Sequence, residues 1–111
     1  MNATETTVVK AIKEMENACI GNTQITYSVT EDKTEVHLYG SKIVEYFHDK
    51  NQLKVNFCGF VTNVTVSRIN SIIEALDFDT HFNIKSKEIH KSVLKAKFGI
   101  VESNGWLLIT E

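Results

Sequence analysis

The chain has 111 residues, of which 42% are hydrophobic and 23% are charged, and its formal net charge is −2. This length and composition predict one folded domain over residues 1–111 and argue against disorder of the whole chain. The near-neutral balance excludes a global electrostatic attraction to nucleic acid or membrane, and no apolar run approaches the roughly 20 residues of a membrane-spanning helix. The polar N-terminus lacks the features of a signal peptide, so we expect a cytoplasmic protein.

The first predicted element is a helix over residues 5–20. Its apolar positions recur at intervals of four, three and four residues: Val8, Ile12, Met15 and Cys19. Asn2 or Thr4 can cap the start, and Glu5 suits the first turn. Gly21-Asn22 is expected to end the helix.

Four strands are predicted next, over residues 24–30, 35–39, 42–47 and 53–58. Alternating apolar and polar residues define three of them, whereas 42–47 is apolar on both faces and is therefore expected to be central. The breaks between the strands are short, which favours antiparallel hairpins and hence a meander.

A second helix is predicted over residues 65–76, with Thr65 as its N-cap. The spacing defines a buried stripe: Val66, Ile69, Ile72, Ile73 and Leu76. The same periodicity directs three side chains to water: Ser67, Ser71 and Glu74. Arg68 and Asn70 fall on the two flanks of the stripe.

The last third of the chain is predicted less completely. Phe82 and Ile84 indicate a strand over 80–85, and residues 86–96 fit either a short helix or an extended basic loop. Asn104-Gly105 predicts the turn of a hairpin that joins 97–102 to 106–110. The expected fold is therefore α+β, an antiparallel sheet (meander plus C-terminal hairpin) with two or three helices packed on one face.

No pattern of catalytic or metal-binding residues is present. The four histidines lack metal-ligand spacing, and no nucleophile or phosphate-loop motif appears. Cys19 and Cys58 are far apart in sequence and are expected to be buried free thiols, with a disulfide between them as the alternative. We therefore expect a protein that is not an enzyme and that requires no cofactor or metal.

Three features suggest binding instead. The first is a basic segment with five lysines against one glutamate: Lys85, Lys87, Lys91, Lys95 and Lys97. On a helix, Lys87, Lys91 and Lys95 would align and could meet phosphates, with Arg68 in support, although a solvated lysine face is the simpler interpretation. The second is the exposed sheet face, where His37, Tyr39 and Tyr46 could present rings for stacking, unless the tyrosines pack under the C-terminal hairpin.

The stretch that leads into the second helix concentrates hydroxyl groups, an arginine and an amide near a helix N-terminus, which can bind anions. Thr62 and Asn70 are its candidate contact residues, and helix capping is the simpler explanation. The stretch carries a spaced motif: Gly59, Phe60, Thr62, Thr65, Ser67, Arg68, Ile69 and Asn70.

This motif, together with Leu38-Tyr39-Gly40-Ser41-Lys42-Ile43 upstream, resembles small uncharacterised proteins of tailed bacteriophages and prophages over residues 36–76. Phe60 stands where that group usually has tryptophan. Val66 stands where arginine or threonine is common, which weakens a phosphate-binding role for the motif. The resemblance implies phage origin and a small α+β fold, and no established activity.

Three hypotheses follow. The first is a phage accessory protein that binds nucleic acid through the lysines. The second is an inhibitor or modulator that binds a host protein, such as a defence or transcription complex. The third is a structural component that assembles with itself, for instance as a homodimer.

Overall fold

A computed structural model provides the fold and describes residues 2–58, 62–78, 100–101 and 106–109. In this part of the chain there are two helices, α1 (Ala3–Lys13) and α2 (Asn63–Ala75). The seven strands are β1 (Ala18–Ile20), β2 (Thr23–Ser28), β3 (Lys33–Leu38), β4 (Ser41–Phe47), β5 (Gln52–Val55), β6 (Ile100–Val101) and β7 (Leu107–Ile109). The predicted α+β class is confirmed. The strand predicted at 80–85, the segment 86–96 and all five lysines of the basic segment lie outside the described residues.

The seven strands form one sheet in the order β1-β2-β3-β4-β5-β7-β6, with every neighbouring pair antiparallel. The predicted meander is β2 to β5, and β4 is the middle strand of the seven-stranded sheet, in agreement with its predicted central place. The predicted C-terminal hairpin is confirmed by the pairing of β6 with β7, and β7 adds this hairpin to β5.

One face of the sheet is apolar and buried. A row of paired residues crosses five strands on this face, and all five side chains are buried: Ile25, Val36, Val44, Val55 and Leu107. The register of β3 against β4 shifts after Val36, where a β-bulge places Ile43 as an extra residue between paired positions. This bulge explains why β4 buries two successive residues, Ile43 and Val44.

Both helices contribute side chains to the same buried cluster as this sheet face. From α1 these are Val8, Ala11 and Ile12, and from α2 they are Val66, Ile69, Ile72 and Ile73. The predicted stripe of α2 is thus confirmed, with Leu76 partly buried at its end. Among the described residues, no helix is long and apolar enough to cross a bilayer.

The prediction that the first helix reaches residue 20 is wrong. The helix ends at Lys13, where Glu16 N–H donates to the Ala11 carbonyl at 2.9 Å and Met15, with φ of 56°, donates to the Ile12 carbonyl at 3.3 Å. This is a Schellman motif, which closes a helix through a residue of positive φ. Gly21-Asn22 forms the β1–β2 turn instead of a helix end.

The early end of α1 also changes the environment of Cys19. The residues after the helix form the edge strand β1, and the Cys19 side chain lies on the exposed face of this strand. The prediction of a buried Cys19 is therefore wrong. Cys58 follows β5 in a turn, is half-buried, and is a free thiol like Cys19.

Two details of α2 also differ from prediction. The N-cap is Thr62 and not Thr65, because the Thr62 hydroxyl accepts the Thr65 N–H at 3.3 Å and the helix begins at Asn63. Ser71 does not point to water but is buried, and its hydroxyl donates to a carboxylate of α1, that of Glu5, at 2.9 Å.

Candidate binding surfaces

The three rings proposed for the open sheet face do not lie together. Tyr46 lies on the buried apolar face, and its hydroxyl donates to Asn51 Oδ1 at 2.6 Å, so its predicted place on the open face is wrong. Its ring packs edge-on against His48 and Phe78. Tyr39 lies in the β3–β4 turn and is 70% exposed, while His37 remains half-buried on β3.

Two other rings occupy the polar face of the sheet. Phe47 ends β4, and three ammonium groups lie close to the centre of its ring: those of Lys33 at 5.8 Å, Lys50 at 5.8 Å and Lys54 at 5.6 Å. Trp106, just before β7, has the Lys42 ammonium 5.8 Å from its ring centre. We call the surface formed by Phe47, Trp106 and these four lysines the cationic face. Sequence analysis missed both rings, because residues 42–47 are apolar on both faces and alternation alone does not tell which face of β4 is buried.

Carboxylates compensate part of the charge of the cationic face. Lys33 lies 3.0 Å from Glu31, 3.0 Å from Glu35 and 2.9 Å from Glu45. The hydrogen bond to Glu45 is the main reason why the pKa of Lys33 is raised. Lys42 lies at longer distances, 3.5 Å from Glu35 and 3.6 Å from Glu45.

Lys50 differs from the other lysines of this face. It is exposed, and it forms no ion pair with any residue in the described ranges, so its charge is available to an anionic ligand.

Arg68 lies at the contact between the two helices. Its guanidinium is 3.6 Å from the Glu5 carboxylate, and its side chain is only 12% exposed. Glu5 also accepts hydrogen bonds from Ser67 at 2.6 Å and Ser71 at 2.9 Å. Burial acts to raise the pKa of Glu5, but these hydrogen bonds and Arg68 outweigh it and lower that pKa below its usual value. Asn70 is half-buried on α2 and has an interaction partner of its own.

A pocket of about 230 Å³ lies where the β3–β4 turn meets the start of α2. Its lining comes from two parts of the chain: Leu38, Tyr39, Ser41 and Ile43 from the first, and Phe57, Thr62 and Thr65 from the second. The structure therefore brings together two predicted contact residues, Tyr39 and Thr62, that are far apart in sequence. The two segments of the phage-like motif meet at this pocket.

Two observations on the described part of the chain concern metal binding and thiol chemistry. No cluster of three histidine, cysteine or acidic residues that could hold a metal ion occurs there. The Cys58 thiol donates to the Lys42 carbonyl at 3.2 Å, and burial raises the pKa of this thiol, so the reactive thiolate is disfavoured.

Comparison with known proteins identifies the origin of the chain. No curated protein and no solved structure matches it significantly. The model of one family, described as Kyanoviridae Gp96 protein, matches residues 1–105, a range that includes α1 and the basic segment as well as the motif region. The phage origin implied by the motif is confirmed, and the chain belongs to the Kyanoviridae Gp96 family of phage proteins.

Proposed function

We propose that this phage protein is a non-catalytic accessory protein that binds nucleic acid in the cytoplasm of the host cell. The observation that carries the proposal is the Phe47 ring with three lysine ammonium groups within 5.8 Å of its centre. An aromatic ring among cations matches a nucleotide, because a base can stack on the ring while a phosphate pairs with a nearby ammonium group, and Lys50 has no carboxylate partner among the described residues.

The placement of the helices supports this use of the cationic face. Side chains of α1 and α2 share the buried cluster of the opposite sheet face, and we take both helices to pack there. Among the described residues, neither helix then covers the cationic face, which supports its use as a ligand surface. The five lysines of segment 85–97, which lie in the same family match, would add phosphate contacts.

The experiment is fluorescence anisotropy with labelled single- and double-stranded DNA and RNA at several salt concentrations. Binding should weaken steeply with salt, since lysine–phosphate contacts release counterions. Lys50→Ala/Lys54→Ala should weaken binding and reduce the salt slope by about one for each phosphate that the variant no longer neutralises. Lys87→Ala/Lys91→Ala/Lys95→Ala tests the basic segment in the same way.

The matched control is Lys10→Ala/Lys13→Ala, which removes the same charge from exposed positions on α1. This variant should bind like the wild type. If it weakens binding as much as Lys50→Ala/Lys54→Ala does, the contact is general electrostatic attraction and not the cationic face. Absence of any binding at low salt would overturn the proposal in favour of a host-protein target, which a pull-down from nuclease-treated bacterial lysate would then seek.

A further inference from the structure

The backbone at Tyr39 is unusual for an aromatic residue. Tyr39 and Gly40 are the two central residues of the β3–β4 turn, with φ of 51° and 78°. Such turns favour asparagine followed by glycine, and a bulky residue with positive φ is a genuine outlier. Because 70% of Tyr39 is exposed, packing of the ring does not explain the residue either. Strained residues of this kind are concentrated at ligand sites.

Tyr39 lies at the pocket of about 230 Å³, and the lining of this pocket defines what it can hold. Leu38, Ile43 and Phe57 supply apolar walls, while hydroxyl groups come from Ser41, Thr62 and Thr65. None of these lining residues is charged. They suit a flat, neutral ligand with apolar faces and a polar edge, and an unstacked nucleobase has these properties.

The pocket and the cationic face lie on opposite sides of the sheet beside the β3–β4 turn, since Ser41 pairs with Leu38 on the pocket side and Lys42 pairs with His37 on the cationic side. Ser41 lines the pocket, and the next residue, Lys42, has its ammonium 5.8 Å from the Trp106 ring centre. The Lys42 side chain is still 34% exposed, and its two carboxylate partners lie at 3.5 and 3.6 Å. A single strand that passes round the β3–β4 turn could therefore place a base in the pocket and a neighbouring phosphate near the Lys42 ammonium.

From this geometry we infer that the pocket takes one unstacked base of a single-stranded nucleic acid, with the Tyr39 ring stacked on it. The inference rests on the proposed function and specifies that the nucleic acid bound is single-stranded. Bases in a duplex are paired and stacked, so the protein should prefer single strands to duplex of the same length.

The test compares a thymidine oligomer with an oligomer of equal length whose nucleotides are abasic, because both carry the same phosphates. The wild type should bind the thymidine oligomer more tightly. Tyr39→Asn should reduce that preference by about tenfold, as expected when one base–aromatic stack is removed, whereas Tyr39→Phe should retain it.

Tyr39→Asn also controls for folding, since asparagine suits the turn and should raise the melting temperature. A more stable variant that binds less well cannot owe its weaker binding to unfolding. If Tyr39→Asn keeps the full preference of the wild type, the pocket assignment is overturned while nucleic-acid binding stands. If the wild type binds neither oligomer at low salt, the pocket assignment is overturned, and the titrations with double-stranded DNA and with RNA decide separately whether the proposed function stands.

Discussion

Several residues other than glycine have positive φ in the described part of the chain: Met15, Asp32, Tyr39, Asn51, Cys58 and Asp77. Aspartate and asparagine tolerate this conformation because their short polar side chains bond locally to the backbone. Methionine has no such compensation, and Met15 is 44% exposed, so little packing offsets its strain. Met15 is therefore a site where the native residue is not the most stable one.

We expect Met15→Gly to raise the free energy of unfolding by about 1 kcal/mol, because glycine is the preferred residue at this position of a Schellman motif. Urea unfolding followed by circular dichroism measures the change. Lys13→Gly, at the end of α1, is the control and should be destabilising by up to about 1 kcal/mol. A decrease in the stability of Met15→Gly would show that the Met15 side chain contributes packing that outweighs the strain.

Two buried threonines on neighbouring strands provide a second test. Thr23 is 1% exposed, and its hydroxyl has no hydrogen-bond partner among the residues described. Thr34 is fully buried, and its hydroxyl lies 2.7 Å from His48 Nε2. We expect Thr23→Val to be neutral or stabilising, since it removes an unsatisfied polar group, and Thr34→Val to cost about 1 kcal/mol. Equal destabilisation of the two variants in thermal denaturation would contradict this distinction.

The contact between α1 and α2 depends on one carboxylate. The Asn2 side chain accepts the Glu5 N–H, and Glu5 is the third helical residue, so the two form the capping box of α1. The same carboxylate accepts the hydroxyls of Ser67 and Ser71 and faces Arg68. Glu5 therefore both caps α1 and holds α2 against it.

This contact predicts a dependence of stability on pH. The pKa of Glu5 is lowered in the folded state, so the unfolded chain takes up the proton first as pH falls below about 4.5. The stabilisation is complete above that pH and disappears as pH falls through the folded pKa. Glu5→Gln should lower stability at pH 7 by about 2 kcal/mol and flatten the decline in acid, as urea midpoints from pH 7 to pH 3 would show.

Glu14→Gln at the exposed C-cap of α1 serves as the control, because it changes the net charge equally. If the stability of Glu5→Gln falls as steeply between pH 7 and pH 3 as that of this control, protonation of Glu5 is not the cause of the loss of stability in acid.

Across the whole molecule, the C-terminal hairpin is part of the main sheet. β7 pairs with β5 through Leu53–Ile109, Lys54–Leu108 and Val55–Leu107, and both Leu107 and Ile109 belong to the core. Residues near the end of the chain therefore share a sheet and a core with residues near its middle. This continuity supports the proposal of a single domain over 1–111.

A single domain should unfold cooperatively. We expect the fluorescence of Trp106, the only tryptophan, and far-UV circular dichroism to report the same urea midpoint. An earlier fluorescence transition would mean that the hairpin separates before the remainder unfolds. Analytical ultracentrifugation of the same samples would measure the oligomeric state and so test the homodimer hypothesis.

Local sequence patterns were sufficient for much of this fold. Alternation with period two predicted β2, β3 and β5, and the spacing of Val66, Ile69 and Ile73 predicted α2. Both patterns arise because each element has one buried face. The residues of such a face recur within a stretch of about ten neighbouring residues, so the pattern can be recognised locally. The motif also indicated phage origin without any structural information.

Long-range packing decided the remainder. The periodicity of Val8, Ile12, Met15 and Cys19 continued past the true end of α1, because a Schellman motif with Met15 has no glycine to mark it. Tyr46 and Phe47 are both aromatic, and only the pairing of β4 with β3 and β5 decides which one is buried.

The contact of Glu5 with Ser67 and Ser71, and the pocket between Tyr39 and Thr62, join segments that no local pattern relates. Elements could be predicted because burial of a face repeats along the chain. The sites could not be predicted because each is formed where distant segments meet.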